Sequence, residues 1–349
     1  MSRPSSAVLS LLIAAALIPS TVQAAQDQDP EPPPDVALNW VGDMAFSRSA
    51  GLPPNGGKGY FGDVTRYLRR SDLTTGNLEG TLGRGPTTKC RGNCHEFQAP
   101  PSYARVFRRA GFGLLNLANN HSHDAGPRGL RETTGALRGA GVAHTGLNGQ
   151  ITVKRVGGVR IAFLGFAPYR WASPLLDIGR AKALVRRASK RADAVVVFTH
   201  GGAEGAGALH TPHGTEHAFG ENRGATRAFA HAVVDSGADA VLGSGPHVLR
   251  GIECYRRAIV AYSLGNFAPY RTLSTSGVLG LSGVLNLKLS PAGRFTGGNL
   301  WSVRLERPGI PRRDGSRAGA KLVRRLSRQD FGRRACPISA TGRIKARDA

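Results

Sequence analysis

An α/β sandwich, with sheets inside and helices on the outer faces, is predicted by three observations. Short apolar runs alternate with amphipathic helical segments along most of the chain. Turn signals, Gly157-Gly158 and Ser290-Pro291 among them, join neighbouring runs into hairpins. Five apolar runs end on polar side chains: Asp43, Glu79, Asn119-Asn120-His121, His200 and His247. In open α/β sheets that edge is where ligands bind.

The chain has 349 residues, enough for one large domain. Arg3, an apolar run over 7–18 and the small-x-small pattern Val22-Gln23-Ala24 predict a secretory signal peptide over 1–24. An uncleaved anchor is the alternative, although the run is short for a membrane span. Residues 25–34 read as a Pro-rich acidic linker. No later run is long enough to cross a bilayer, so an exported protein is expected: extracellular, periplasmic or envelope-associated.

The folded domain is expected over 35–306. A first strand over 35–41 runs into Gly42-Asp43, 49–59 is a Gly/Pro loop, and 61–68 is helical. A second strand over 73–78 leads to Glu79, followed by a Gly/Pro/Cys loop over 81–100. Tyr103, Val106 and Phe107 share a face in a helix over 101–110. A buried strand over 112–117 enters the polar stretch 116–126, which precedes a helix over 128–140 with Pro127 in its first turn. A short strand is read over 142–145 and a hairpin over 151–156 and 159–166. A helix over 178–191 and a strand over 194–198 follow. Residues 203–223 are read as a long loop containing His210, His213 and His217. Next come a helix over 225–236, a strand over 238–242, and hairpins over 251–264 and 278–305. Residues 307–349 are read as a basic tail, helical over 318–327 and pinned by Cys336.

Four cysteines in an exported chain favour disulfides, with Cys90–Cys94 and Cys254–Cys336 the preferred pairing. A zinc site from Cys90, Cys94 and His95 is the alternative. The formal net charge is +24, with 39 Arg among 47 cations. Such a surface attracts polyanions, although a GC-rich genome would produce a similar composition. No nucleic-acid motif or aromatic-basic interleaving is present, so no specific nucleic-acid partner is expected.

Carboxylate, carboxamide and imidazole groups at converging strand ends are ligand types for a divalent metal such as Mn, Zn or Fe. Such a metal activates water and clamps a phosphoryl oxygen. His121 is then the group left to act as general acid, with Asp124 beside it in the same catalytic cluster. Each residue also has a plainer role open to it: a turn aspartate, a capping glutamate, a core histidine.

The ordered motifs G-D-M-A-F (42–46), N-L-E-G-T-L (77–82), A-N-N-H-S-H-D-A-G (118–126), T-H-G-G (199–202), G-A-D-A-V-L-G-S-G-P-H-V (237–248) and Y-S-L-G-N-F (262–267) resemble the capsule-synthesis CapA family, which includes PgsA-type proteins. The resemblance covers roughly residues 36–270. It implies a calcineurin-like metallophosphoesterase fold, a four-layer sandwich with two mixed sheets. It also implies a role in making, exporting or anchoring an anionic envelope polymer such as poly-γ-glutamate, alongside capsule-synthesis membrane proteins. Carried over, Asp43, Glu79, Asn120, His200 and His247 become metal ligands and His121 the catalytic imidazole. The sequence departs from the superfamily in two places: Ala45 stands where a D-x-H histidine is usual, and Gly245-Pro246-His247 where H-P-H is usual. His123, His210, His213 or Glu204 are candidates to make up the set. Three readings are open: a metal-dependent hydrolase or transferase acting on an envelope polymer, a non-catalytic polyanion-binding scaffold, and a secreted metallophosphoesterase with another substrate.

Overall fold

A computed structural model describes Met1, residues 34–87, Lys89 and residues 94–347. The expected signal peptide and nearly all of the linker, together with Cys90, lie outside the described residues. The chain divides between Pro32 and Pro33, and every helix and strand named below belongs to the second unit, Pro33–Ala349.

In chain order, β1 (Val36–Met44) carries the first apolar run through Asp43. α1 (Thr65–Leu68) is a single turn, and β2 (Leu73–Leu78) has its predicted bounds. Inside the expected loop, β3 (Thr81–Leu82) and β4 (Gln98–Ala99) pair in parallel. α2 (Tyr103–Ala110) buries Tyr103, Val106 and Phe107 and ends on Gly111 at φ 112°, the left-handed stop that glycine takes without strain. β5 (Phe112–Asn116), α3 (Gly126–Gly139) and β6 (Ala143–Thr145) follow.

β7 (Thr152–Val156) and β8 (Val159–Ala167) form the predicted hairpin, with Gly157 and Gly158 at φ 54° and 86°. Then come β9 (Ser173–Pro174), α4 (Ile178–Ser189) and β10 (Ala194–His200). The stretch read as an irregular loop contains a hairpin, β11 (Glu216–Ala218) with β12 (Glu221–Gly224). Its strands are too short and polar to show an alternating pattern. α5 (Thr226–Val234), β13 (Ala240–Ser244), β14 (Ile252–Tyr255), β15 (Ala258–Ala261) and β16 (Asn266–Ala268) lead to the long hairpin β17 (Leu281–Leu289) and β18 (Phe295–Glu306). The described chain closes with β19 (Ile310–Arg313), α6 (Ala318–Phe331) and β20 (Arg343–Lys345).

Apart from the two-stranded β3–β4 and β11–β12 pairs, these strands form two mixed sheets. One runs β19-β18-β17-β1-β2-β5-β6, with β16 beside β1 and β20 beside β18. The other runs β14-β15-β13-β10-β8-β7, with β9 beside β8. Leu38, Trp40, Leu285 and Leu287 of the first sheet pack on Val196, Phe198 and Leu242 of the second. Trp40 stacks on Phe198 at 4.5 Å between ring centres, and its indole N–H donates to the Gly243 carbonyl at 3.2 Å. Val41, Phe112 and Leu115 turn outward under α2 and α3. Val195 and Val197 turn outward under α4 and α5. The predicted α/β sandwich therefore has four layers, helix–sheet–sheet–helix, and its central strands are apolar on both faces.

The segment expected to be a basic tail is part of this body. β19 and β20 pair with β18, and Leu322, Val323, Leu326, Ile338 and Ile344 join the inter-sheet core. The apolar residues of α6 lie on one helical face between arginines, which hid them in the composition. Cys254 and Cys336 form the expected disulfide, 82 residues apart. Cys94 is disulfide-bonded, so it is no thiolate ligand for zinc.

This packing has two measurable consequences. Leu326→Ala removes a side chain that is 1% exposed and should destabilise the protein by about 2–4 kcal/mol in urea unfolding, where a detached tail would show no change. Asp239, largely buried, accepts the Val195 N–H at 2.7 Å, and burial pushes its carboxyl up to about 7. A folded-state value above the unfolded one means the native state binds the extra proton, so stability falls as pH rises from about 4 to 7. Asp239→Asn should therefore be more stable than wild type at pH 8, on the order of 1 kcal/mol, with the advantage gone by about pH 4 in thermal melts.

Candidate metal centre

The polar strand ends meet where the two sheets abut. β1, β2 and β5 run parallel with Asp43, Asn77 and Asn116 in register. In the second sheet His200 lies in register with Ser244. The sheets approach closely here: the Gly245 N–H, one residue past β13, donates to Asp43 Oδ2 at 3.2 Å. Within the first sheet, where β16 lies beside β1, the Asp43 N–H donates to the Gly265 carbonyl at 2.9 Å, and a Cβ on Gly42 would sit 1.8 Å from that oxygen. Only glycine fits before Asp43.

Glu79 is the centre of the cluster. Its Oε1 lies 3.8 Å from His200 Nε2, 3.9 Å from His247 Nε2 and 4.0 Å from His121 Nε2. Asp43 is beside it, with Oδ2 3.1 Å from His247 Nδ1 and Oδ1 3.6 Å from His200 Nδ1. Both carboxylates are fully buried. Ligand atoms of Asp43, Glu79 and His247 all lie within 4.8 Å of one another.

Several of these atoms lack hydrogen-bond partners. Both Glu79 carboxylate oxygens, His200 Nε2 and the Asn120 carboxamide oxygen are buried and unpaired. An unsatisfied buried polar atom costs about 1–3 kcal/mol. The Glu79 oxygen and His200 Nε2 face each other at 3.8 Å, and oxygen with imidazole nitrogen is the donor set of a divalent cation of the Mn, Zn or Fe kind. Electrostatics point the same way. Burial, then repulsion from Asp43, raises the Glu79 carboxyl well above the usual range. Burial also acts to raise Asp43, but hydrogen bonds and charge from His200 and His247 outweigh it and hold the group far below its usual range. Two carboxyls in one dry pocket do not both ionise without a cation.

A carboxamide ladder holds the centre in place. Asn77 Nδ2 donates to Asp43 Oδ1 at 2.8 Å and lies 3.2 Å from His200 Nδ1. Asn116 and Asn119 both donate to Asn77 Oδ1, at 3.0 and 3.1 Å. The Asn119 carboxamide oxygen in turn accepts the His121 N–H at 3.0 Å. None of the three is among the ligands or catalytic groups expected from sequence. Their signal is a carboxamide inside or just after an otherwise apolar strand.

His121 is oriented from behind. Its Nδ1 is 2.7 Å from Asp124 Oδ2, which also accepts the Phe97 N–H at 2.7 Å. Lys89 Nζ is 3.2 Å from Asp124 Oδ1. Burial lowers the His121 pKa despite Asp124, leaving a neutral ring with Nε2 directed at Glu79. Asp124, grouped with His121 as catalytic from sequence, contacts the centre through His121: Oδ2 takes the ring and the Phe97 N–H, and Oδ1 faces Lys89.

Of the residues considered as replacements for the missing histidines, only Glu204 is seen at the centre. Its Oε2 lies 3.5 Å from His247 Nε2, and Arg223 holds its other oxygen at 2.6 Å. His210 pairs with Asp330 at 2.6 Å, His213 contacts Arg227, and His123 stacks on Trp171 at 4.7 Å. The loop carrying Glu204 is anchored by a buried pair, Arg250 Nη2 on Glu216 Oε2 at 2.6 Å. His247 adopts φ 59°, a left-handed conformation that is strained for a non-glycine residue.

The family model for bacterial capsule synthesis protein PGA_cap matches residues 37–270, and the chain belongs to that family. Capsule biosynthesis protein CapA of Bacillus anthracis is 31% identical over 259 residues, covering 66% of this chain and 59% of that protein. PGA biosynthesis protein CapA of Bacillus subtilis (strain 168) is 30% identical over 251 residues, covering 66% of this chain and 63% of that protein. The chain thus spans about three fifths of the length of these two relatives. Among solved structures, the calcineurin-like phosphoesterase YfkN from Bacillus subtilis is similar, with a TM-score of 0.46 and 12% identity over 85% of this chain and 97% of that one.

If the unpaired Glu79 carboxylate awaits a cation, Glu79→Gln should raise the Tm of metal-free protein by a few degrees, where about 1 kcal/mol corresponds to ~2–4 °C. The same variant should lose the Tm increase that Mn or Zn gives the wild type.

Proposed function

We propose that this chain is an exported member of the capsule-synthesis family whose strand-end centre performs metal-dependent hydrolysis or transfer on an anionic envelope polymer such as poly-γ-glutamate. The observation that carries this reading is the ring of three imidazoles around the buried, unpaired Glu79 carboxylate. Asp43, Glu79, His200 and His247 would hold a divalent metal, Mn or Zn by donor type, with Asn120 and Glu204 as further oxygen donors. The chemistry such a group supplies is Lewis acidity at neutral pH. Asp124 accepts the Nδ1–H of His121, so Nε2 of the neutral ring is free to take up a proton, and the ring protonated there is the form that gives it to a leaving oxygen. The ladder through Asn77 keeps Asp43 and His200 from turning away when substrate enters.

Export is supported by the Cys254–Cys336 disulfide, which persists in oxidising compartments. No helix among the described residues is long and apolar enough to cross a membrane. Membrane-bound capsule-synthesis proteins are the proposed partners, because the named relatives serve capsule or PGA biosynthesis.

A second reading is a non-catalytic scaffold of the same fold, favoured by the net charge of +24. Elemental analysis of the purified chain separates the two. Near-stoichiometric transition metal, lost in His200→Ala and kept in His121→Ala, is the outcome expected for a working centre. Absence of metal in the wild type after incubation with Mn or Zn would sink the catalytic reading and leave the scaffold.

A further inference from the structure

The C-terminal segment carries a second concentration of charge that shares no residue with the metal centre. Lys321, Arg324, Arg325 and Arg328 recur at i, i+3, i+4 and i+7 on one face of α6, opposite its buried Leu322, Val323 and Leu326. Arg343 and Lys345 alternate with the buried Ile344 on β20, so both face outward, and Arg347 follows. The two elements flank a groove of about 440 Å³ lined by Arg324, Arg328, Arg343, Lys345 and Arg347. A second depression of about 310 Å³ extends it along the helix, sharing Arg324 and Arg328 and adding Lys321 and Arg325.

No ion pair joins any of these cations to a carboxylate among the described residues; some other surface arginines do have one, with Asp193, Asp235, Glu306 and Asp63, while Arg186, Arg187 and Lys190 have none, so it is the gathering of the cations in a groove that sets this place apart. Arg324 Nε is buried without a hydrogen-bond acceptor. Like charges gathered in one groove repel one another, and an external polyanion relieves that repulsion. The floor is made of Ala335, Cys336, Pro337 and Ile338, held to the body by the Cys254–Cys336 disulfide. No aromatic side chain lines the groove, so it offers no stacking platform for bases. Among the described residues the exposed large apolar side chains are Met1, Val153, Leu176 and Phe219, none of which lines the groove as a wedge for a lipid surface. Guanidinium forks spaced along a groove match successive carboxylates.

We propose that the groove between α6 and β20 is a binding site for an extended polycarboxylate chain, holding polymer at a place distinct from the metal centre. The proposal takes from the preceding reading only that the protein handles an anionic polymer. It does not need the centre to be catalytic.

The test measures binding of poly-γ-glutamate to the full chain by titration calorimetry, with inorganic polyphosphate of matched charge as the second probe. Arg328→Gln/Arg343→Gln/Lys345→Gln, all at exposed positions, should weaken poly-γ-glutamate binding by about tenfold or more. Arg186→Gln/Arg187→Gln/Lys190→Gln on the outer face of α4 removes the same charge from another surface and should weaken it less than about twofold. Equal losses in the two variants would show diffuse attraction and overturn the site. Tighter, groove-dependent binding of polyphosphate would overturn the polycarboxylate assignment. The groove variant should keep the metal content of the wild type, so its loss of polymer binding bears on the groove and elemental analysis of His200→Ala bears on the centre.

Discussion

Two carboxyl groups share one dry pocket, and much of the molecule is arranged around that constraint. Asp43 stays ionised because His200, His247 and the Asn77 carboxamide face it. Glu79 has the charge of His247 at 3.9 Å but no hydrogen bond, and burial with repulsion from Asp43 drives it toward its neutral form. Isolated, this arrangement is unfavourable. With a divalent cation in place the same atoms become a donor set, so the cost in the folded chain is the counterpart of binding.

Keeping those groups dry and fixed requires the two sheets to meet at their strand ends. The Trp40–Phe198 stack joins the sheets in the core below, and the Gly245 N–H at the end of β13 reaches across to Asp43 Oδ2. The asparagine ladder then transmits position sideways, from β5 through β2 to β1 and across to His200. Glu204 arrives from a loop fastened by the Arg250–Glu216 pair, and His247 is kept in a strained backbone conformation. Groups on five different segments thereby converge without any one of them being adjacent in sequence.

The basic C-terminal groove follows a different logic. There the cations, without an ion pair among the described residues, are gathered by a helix and a strand whose inner faces complete the core.

The layered α/β class was legible in the sequence, because apolar period and turn residues act locally. The predicted strands ending at Asp43, Glu79, His200 and His247 were legible for the same reason, as was the Cys254–Cys336 pair in a chain with so few cysteines. Family membership was legible from the ordered motifs. Which polar residues meet was decided by tertiary structure alone. Glu204, His210, His213 and His123 look equivalent as residue types, yet only Glu204 approaches His247, because the loop geometry sends the others to Asp330, Arg227 and Trp171. Asp124 and His121 likewise look like partners in catalysis, but register and the turn after β5 place one behind the other. The C-terminal helix read as a tail because its arginines dominate the composition, and only the neighbouring sheet shows that its apolar face has somewhere to go. Periodicity records which face is apolar; what that face meets depends on contacts between residues far apart in the chain.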